Sequence, residues 1–575
     1  MQETSQGGLW RRAFSVLACL ACILPPPAAA QDAGSKPPDS APGVTTPGTG
    51  AQAPPAGVQP PATKSPKPRI RVVKFVVKGA AGLSEEAIRE IVEPYEGTEL
   101  TLKEIREVAA EISAAYGDEG RILTVAYVPE QEIKNGVVEI AVVEGRIVKA
   151  ELDPEPAHYE PRFLLGFAER LLENPEVEQD DVVRVLKNLN DLPGLRVRGK
   201  VEAGDTAGAS VLRMEVEEKH PFWASFHFDN FGYPDNSRYR ASSTLGLADL
   251  WNAGHWITVT NTVGFPVDRL WAIRPEYHAP VGTNGLILSA AYTHVEHKVG
   301  GALALLEPTG DGDMADVWAT HPILRRSGLD LVLDAGFEWK DLEQNLLGTR
   351  VSHDELSVFR AGFRLECQDG FGENRAFLGA RRGVAGFLGA MHAEDDDASR
   401  AGAGGGFTTL EFSYVRTQPV NDWLTMIGRV NAQLDATNDP LVLSEMFGIG
   451  GPDSVRGYRI YEASGDRGFG CVVEARLRPV FLEAVKDPFD PESGRTLADM
   501  LNLVLFYDYG RIHRRDPVPG EDADTALDGC GAGIRAGYPG WVGIRYDVGR
   551  PVGGPTPVSD RHLDHYVSVD FTIRF

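Results

Sequence analysis

Leu329-Asp330-Leu331-Val332-Leu333-Asp334-Ala335-Gly336-Phe337-Glu338-Trp339-Lys340 alternates with a period of two. Leu329, Leu331, Leu333, Ala335, Phe337 and Trp339 share one face, and Asp330, Asp334, Glu338 and Lys340 share the other. That is a strand with one apolar and one polar side. The pattern recurs with Leu424, Met426, Val430, Ala432 and Leu434 against Thr425, Arg429, Asn431 and Gln433. It recurs again with Cys471, Val473, Ala475 and Leu477 against Glu474, Arg476 and Arg478. From about Trp223 to the last residue the helical period is lost. In a soluble sandwich the polar face would meet bulk water; in a membrane barrel it lines a wet lumen while the apolar face meets lipid. Strand lengths of about 10 residues match a tilted bilayer crossing. Trp223, Trp256, Trp271, Trp339, Trp423 and Trp541 fall near predicted strand ends, as a membrane-interface belt requires. About 16 strands are countable, an even number as in bacterial barrels. Residues 221–575 therefore read as an all-β transmembrane barrel. Its last strand, His565 to Phe575, puts Val567, Val569, Phe571, Ile573 and Phe575 on one apolar face, with Phe571, Ile573 and Phe575 as the closing signal.

Upstream the periodicity is mixed. Ile70 to Val77 is a β-branched run, and Ser84 caps a helix beginning Glu85-Glu86. Thr101 and Glu104 have capping-box spacing ahead of the stripe Leu102, Ile105, Val108, Ala109, Ile112 and Tyr116. Ile122 to Val128 and Gly136 to Val143 complete a β-α-α-β-β unit over 69–145. The order repeats over 146–220. A strand from Arg146 to Leu152 precedes a helix starting at Pro161 and a second helix carrying Val182, Val185, Leu186 and Leu189. The turn Asp191-Leu192-Pro193-Gly194 then leads into alternating Leu195, Val197, Gly199 and Val201.

The 575 residues carry a net charge of −25, which argues against nucleic-acid binding. After residue 30 no apolar run reaches a helical membrane span. Residues 1–30 read as a secretory signal: Arg11-Arg12, the apolar stretch Ala13 to Leu24, and Ala28-Ala29-Ala30. Residues 31–68, rich in Pro, Gly, Ala, Ser and Thr, read as a flexible linker without helical period. Cys367, Cys471 and Cys530 match no metal spacing and read as isolated thiols. No Walker lysine motif, nucleophile triad or metal-ligand cluster stands out, so the reading is a non-enzyme that needs no cofactor or metal.

One segment interrupts the strands: Gly450-Gly451-Pro452-Asp453-Ser454-Val455-Arg456-Gly457-Tyr458. An arginine among turn residues is ordinarily a solvated surface charge. The strand Leu501 to Gly510 offers it another place. Leu501, Leu503, Leu505, Tyr507 and Tyr509 form the apolar face, which turns Asp508 toward the lumen with Phe506 and Gly510. A carboxylate there is most stable beside a cation, and Arg456 is a candidate partner. Glu474 competes for the same arginine, and Arg476 is a second lumenal charge on its strand.

Ser454-Val455-Arg456-Gly457-Tyr458, then Gly465-Asp466-Arg467-Gly468 and Glu474-Ala475-Arg476, resemble the signature of TpsB transporters. These are the outer-membrane components of two-partner secretion, related to hemolysin and filamentous-hemagglutinin secretion proteins. Phe506-x-Asp508-x-Gly510 is similar to the second barrel motif of the same superfamily, and Asp229-Asn230-Phe231-Gly232 also fits. The paired β-α-α-β-β units resemble two POTRA domains. The resemblance implies an outer-membrane barrel of a Gram-negative bacterium with its POTRA domains in the periplasm. It implies a loop near 444–468 folded into the lumen, with Arg456 latched to Asp508. The implied partners are an unfolded, extended exoprotein, outer-membrane lipid, and the barrel assembly machinery and periplasmic chaperones during biogenesis. A barrel insertase of the same superfamily and a passive porin with periplasmic binding domains are the alternatives. Well-studied members also carry an N-terminal plug helix, which residues 31–67 do not suggest.

Overall fold

A computed structural model describes residues 69–574, apart from 81, 207, 438, 554, 555 and 557–561. The predicted leader and linker, with Phe575, lie outside the described residues. The chain divides near Glu218 into two compact units.

The N-terminal unit opens with β1 (Arg69–Arg71), β2 (Lys74–Lys78), α1 (Glu85–Val92), β3 (Glu99–Thr101), α2 (Leu102–Asp118), β4 (Val125–Tyr127) and β5 (Val137–Val143). It continues with β6 (Arg146–Asp153), α3 (Pro161–Gly166), α4 (Glu169–Glu173), α5 (Gln179–Asn190), β7 (Leu195–Ala203) and β8 (Ala209–Glu218). Ser84 Oγ accepts from the Ala87 amide at 3.1 Å. Thr101 and Glu104 form the reciprocal capping box, in which the Thr101 amide holds the Glu104 carboxyl below its usual range. Ile105, Val108, Ala109, Ile112 and Tyr116 of α2 are buried in the first core. The two three-stranded sheets share one topology. β2 runs parallel to β5 with β4 antiparallel beyond it, and β6 runs parallel to β8 with β7 antiparallel beyond it. The repeat is thus one of topology as well as of element order.

Three elements differ from the sequence reading. The run Ile70 to Val77 is two strands, because β1 pairs with β3 while β2 pairs with β5. The strand predicted from Ile122 shrinks to β4, because Arg121 to Thr124 turn back on themselves. The helix starting at Pro161 breaks into α3 and α4, where the Phe167 and Ala168 amides donate three residues back.

The second unit is a closed antiparallel barrel of 16 strands. In order these are β9 (Phe222–Asp229), β10 (Tyr239–Leu250), β11 (His255–Phe265), β12 (Leu270–Val281), β13 (Leu286–Lys298), β14 (Thr309–Arg326), β15 (Leu329–Leu346) and β16 (Thr349–Asp369). Then come β17 (Gly372–Gly383), β18 (Thr408–Asn421) and β19 (Leu424–Asp435). Two short strands, β20 (Phe447–Ile449) and β21 (Ala463–Gly465), pair only with each other. β22 (Arg467–Leu477), β23 (Leu501–His513), β24 (Asp524–Tyr538), β25 (Val542–Pro551) and β26 (Asp564–Arg574) complete the wall. β26 closes onto β9. Phe571, in that last strand, is 39% exposed on the outer face. One rim carries mostly tight turns, such as 251–254, 327–328 and 370–371; the other carries the long connections 384–407 and 436–466, the arrangement that marks the extracellular side.

Strand parity separates a lipid face from a polar lumen. Across β10 and β11, Ser242 meets Thr262 at 2.8 Å and Thr244 meets Thr260 at 2.9 Å inside the wall. The predicted tryptophan belt needs correction. Trp256 faces inward and stacks on His278, and the Trp223 ring lies against Gly246 on the lumenal side. Trp271, Trp423 and Trp541 remain exposed.

Candidate functional site

The connection 436–466 does not leave the barrel; its hairpin β20–β21 folds back inside the wall. Val455 and Tyr458 of its tip are buried with Ile449, Ile512 and Leu527. Between them Arg456 is 1% exposed. Asp508 receives three hydrogen bonds from this one residue: from the backbone amide at 3.0 Å, Nε at 2.7 Å and Nη2 at 2.8 Å. The Nε and Nη2 pair is the bidentate fork that suits a carboxylate. Nη1 donates to Glu474 at 2.7 Å and lies 3.4 Å from Asp547. The guanidinium carbon sits 3.4 Å from the centroid of the Phe506 ring. Glu474 and Asp508 therefore do not compete for Arg456; the fork has room for both.

The surrounding charges balance. Arg476 donates to Glu474 at 3.2 Å, and Arg535 to Asp547 at 2.6 Å. Arg545 bridges Asp547 at 2.9 Å and Asp453 of the loop at 2.7 Å. Four guanidiniums thus face four carboxylates, and each buried charge has partners that offset its desolvation. The backbone fits closely. Gly457 has φ +100°, a conformation that glycine adopts at little cost. Its amide donates to the Tyr566 hydroxyl at 2.9 Å, which in turn donates to the Tyr458 carbonyl at 2.6 Å. A side chain at Gly529 would place Cβ 1.9 Å from the Arg456 carbonyl oxygen. Gly510 leaves similar room for Ile449 and Val455.

A second network holds the base of the loop. Glu445 accepts from Lys340 at 2.9 Å and lies 3.2 Å from Arg381, which also reaches Glu338 at 2.7 Å. Gln433 donates to the Glu445 carbonyl at 2.9 Å. A third holds the return strand. Asp466 is fully buried, taking Arg400 at 2.6 Å and the Leu441 and Arg515 amides at 2.7 Å. Gly465 ends β21, and Gly468 lets Phe447 pack against β22. Ser454 is half-buried at the tip, close to Gly470. Arg467 departs from the rest of its motif, because parity turns it to the outer face, where it is exposed.

Asp547, Arg535, Arg545, Glu445, Lys340 and Arg381 were missed from sequence. The lumenal parity of the five strand residues is readable, but many inward polar residues share it, and Glu445 lies in a 3₁₀ turn with no parity to read. Of Asp229-Asn230-Phe231-Gly232, only Asp229 lies in β9, pairing with Arg240 at 3.0 Å. Asn230 continues the seam by side chain, donating to the His565 carbonyl at 2.8 Å and accepting from Val567 at 2.7 Å. Cys367, Cys471 and Cys530 are free thiols.

A sequence profile described as haemolysin secretion/activation protein ShlB/FhaC/HecB matches residues 208–536. The chain belongs to this family. A profile of the ShlB-type POTRA domain matches residues 70–145. The heme/hemopexin transporter protein HuxB of Haemophilus influenzae is 21% identical over 83% of this chain and 82% of its own. The outer membrane transporter CdiB of Dickeya dadantii is 24% identical over 64% of this chain and 65% of its own. In three dimensions the chain is similar to CdiB from Escherichia coli, with a TM-score of 0.69 and 20% identity over 90% of this chain and 93% of that one. It is also similar in fold to BamA from Haemophilus ducreyi lacking POTRA domains 1–3, with a TM-score of 0.51 and 11% identity over 88% of this chain and all of that one. As a ShlB/FhaC/HecB-type protein, the chain is an outer-membrane translocator of exoproteins with a POTRA domain on the periplasmic side.

Proposed function

We propose that residues 69–145 and 146–220 are two POTRA domains, which receive one extended, unfolded exoprotein that then passes through the barrel lumen. Each sheet ends on edge strands that offer a receiving surface for β-augmentation. The loop 444–468 is the resting obstruction, and Arg456 with Asp508 is its latch. One observation carries this reading: the buried cation at the loop tip is held by carboxylates of β22, β23 and β25, so releasing a few ion pairs frees the tip. The proposed chemistry is non-enzymatic, and folding of the exoprotein outside supplies direction. The barrel assembly machinery and periplasmic chaperones are proposed partners during biogenesis, with outer-membrane lipid around the mature barrel.

Comparing the extracellular proteins of cells with and without this chain tests the proposal. The expected result is loss of one large exoprotein with other outer-membrane barrels intact. General loss of barrels would instead make the chain an insertase, and a permanently wide pore in planar bilayers with no exoprotein lost would make it a porin.

A further inference from the structure

The outer wall carries a feature that translocation does not use. Between β17 and β24, toward the rim of long connections, lies a groove of about 590 Å³. Its floor is Leu378, Leu410, Phe412, Leu434 and Phe469, each between 39% and 59% exposed. They span β17, β18, β19 and β22, three inter-strand spacings or about 14 Å. Beside them on β22 and β23 lie Arg467, Arg511 and His513. Arg467 stands opposite His513 in the ladder, and Phe469 opposite Arg511. Arg511 is thus level with the Phe469 ring, one inter-strand spacing of about 5 Å away, and Arg467 lies two residues along β22, roughly 7 Å from it.

The charge here runs against the rest of the chain. Two carboxylates border the groove. Glu411 turns inward by parity, 3.7 Å from the lumenal Arg381. Asp524 shares the outer face, 3.3 Å from Arg511 and 3.4 Å from His513. Arg467 has no ion-pair partner among the described residues. On β14 to β16 the outward carboxylates toward the same rim are Asp311, Asp313, Asp341, Glu343 and Glu355, with His353 among them 2.7 Å from Asp341. An anionic headgroup is repelled by that sector and attracted by this one.

We propose that this groove binds a phosphorylated, multiply acylated glycolipid of the outer leaflet. Its acyl chains lie on Leu378, Leu410, Leu434 and the two phenylalanines, and a phosphate sits on Arg467 and Arg511. Guanidinium forks suit phosphate oxygens, and the floor is wider than one acyl chain. The proposal rests on the outer-membrane location alone, and its readout does not involve secretion.

The test is native mass spectrometry of the full-length protein in detergent with diphosphorylated lipid A. The expected result is one lipid retained by the native protein, and at least tenfold weaker retention by Arg467→Gln/Arg511→Gln. Arg511→Gln alone should give an intermediate loss. Asp313→Asn/Glu343→Gln, on the acidic sector, should retain the lipid like the native protein. All these side chains point outward, and heat-modifiable gel mobility checks that each barrel is folded. Equal retention by the double arginine variant would overturn the site. So would equally tight binding of lipid A stripped of its phosphates, or of phosphatidylglycerol, since neither result requires the glycolipid phosphate.

Discussion

The two ends of the lumenal loop are pinned with opposite polarity. At the tip a loop cation, Arg456, meets wall carboxylates on β22, β23 and β25. At the base a loop carboxylate, Glu445, meets wall cations on β15 and β17. The tip is also a packed plug, with Val455 and Tyr458 buried beside the arginine and glycines clearing the wall beneath it. The base lies in a short 3₁₀ turn whose carbonyl is tied to Gln433. One loop charge at the tip thus serves three carboxylates, whereas Lys340 and Arg381 at the base also have Glu338. Loss of the tip charge leaves Asp508 with no cation among the described residues; loss of the base charge leaves its partners still paired. That asymmetry makes the tip the part to release and the base the part to hinge on.

The largest effect is expected from Arg456→Ala. It strips Asp508 of both guanidinium hydrogen bonds, leaving it only the backbone amide of position 456, and leaves Glu474 and Asp547 to their remaining arginines. Breaking a buried pair from one side costs about 3–5 kcal/mol when the survivor stays dry, less as lumen water enters. The barrel should still insert and show heat-modifiable mobility, while exoprotein release stops. Normal secretion by this variant would remove the latch from the mechanism.

Next comes Gly529→Ala, which leaves every charge in place. Its methyl group would sit 1.9 Å from the Arg456 carbonyl, so the tip must lift from β24. Overpacking of this kind costs about 1–3 kcal/mol. Channel currents in planar bilayers should show more frequent openings than native. A closed, native-like trace would mean that the tip tolerates displacement and that its fit to the wall is not what holds it.

How much of this comparison the sequence carried differs between its two halves. The barrel was legible because a period of two survives in nearly every strand, and parity alone sent Asp508 inward. The tip was legible as a candidate because glycines flank an arginine, and the family resemblance supplied its inward fold. The base was not. Glu445 is followed by Met446 and Phe447 with no turn signature, and Lys340 lies 105 residues away in the chain. Pairing at that range depends on which strands a folded loop crosses, which no local pattern records. Arg467 is the opposite case: it shares the odd-numbered face of Cys471 and Val473, so its outward parity was legible and only the motif pointed to the lumen.

Charge exchange separates the two ends at a smaller scale. Glu445→Lys should weaken gating, and Lys340→Glu added to it should recover part of the loss, since the introduced glutamate then faces the introduced cation while Arg381 keeps Glu338. The matching exchange at the tip, Arg456→Asp with Asp508→Arg, should recover nothing, because an aspartate at position 456 would face Glu474 and Asp547. Secretion assays of the two single and double sets read this directly. Recovery at the tip without recovery at the base would reverse the assignment of latch and hinge.

The smallest effect should come from Arg476→Gln, at the margin of the tip network. Arg476 donates Nε and Nη2 to Glu474, both at 3.2 Å, but its side chain is 29% exposed. Water can take its place there, and Glu474 keeps Arg456 at 2.7 Å with Arg535 at 3.6 Å. A pair whose cation is open to lumen water on one side contributes about 0.2–1 kcal/mol. Secretion should therefore stay within a few-fold of native at physiological ionic strength, and added salt should narrow the difference between variant and native. A loss as complete as that of Arg456→Ala would show that Glu474 depends on both arginines equally. The tip would then be a distributed network, and its contrast with the hinge would rest on geometry and not on a single charge.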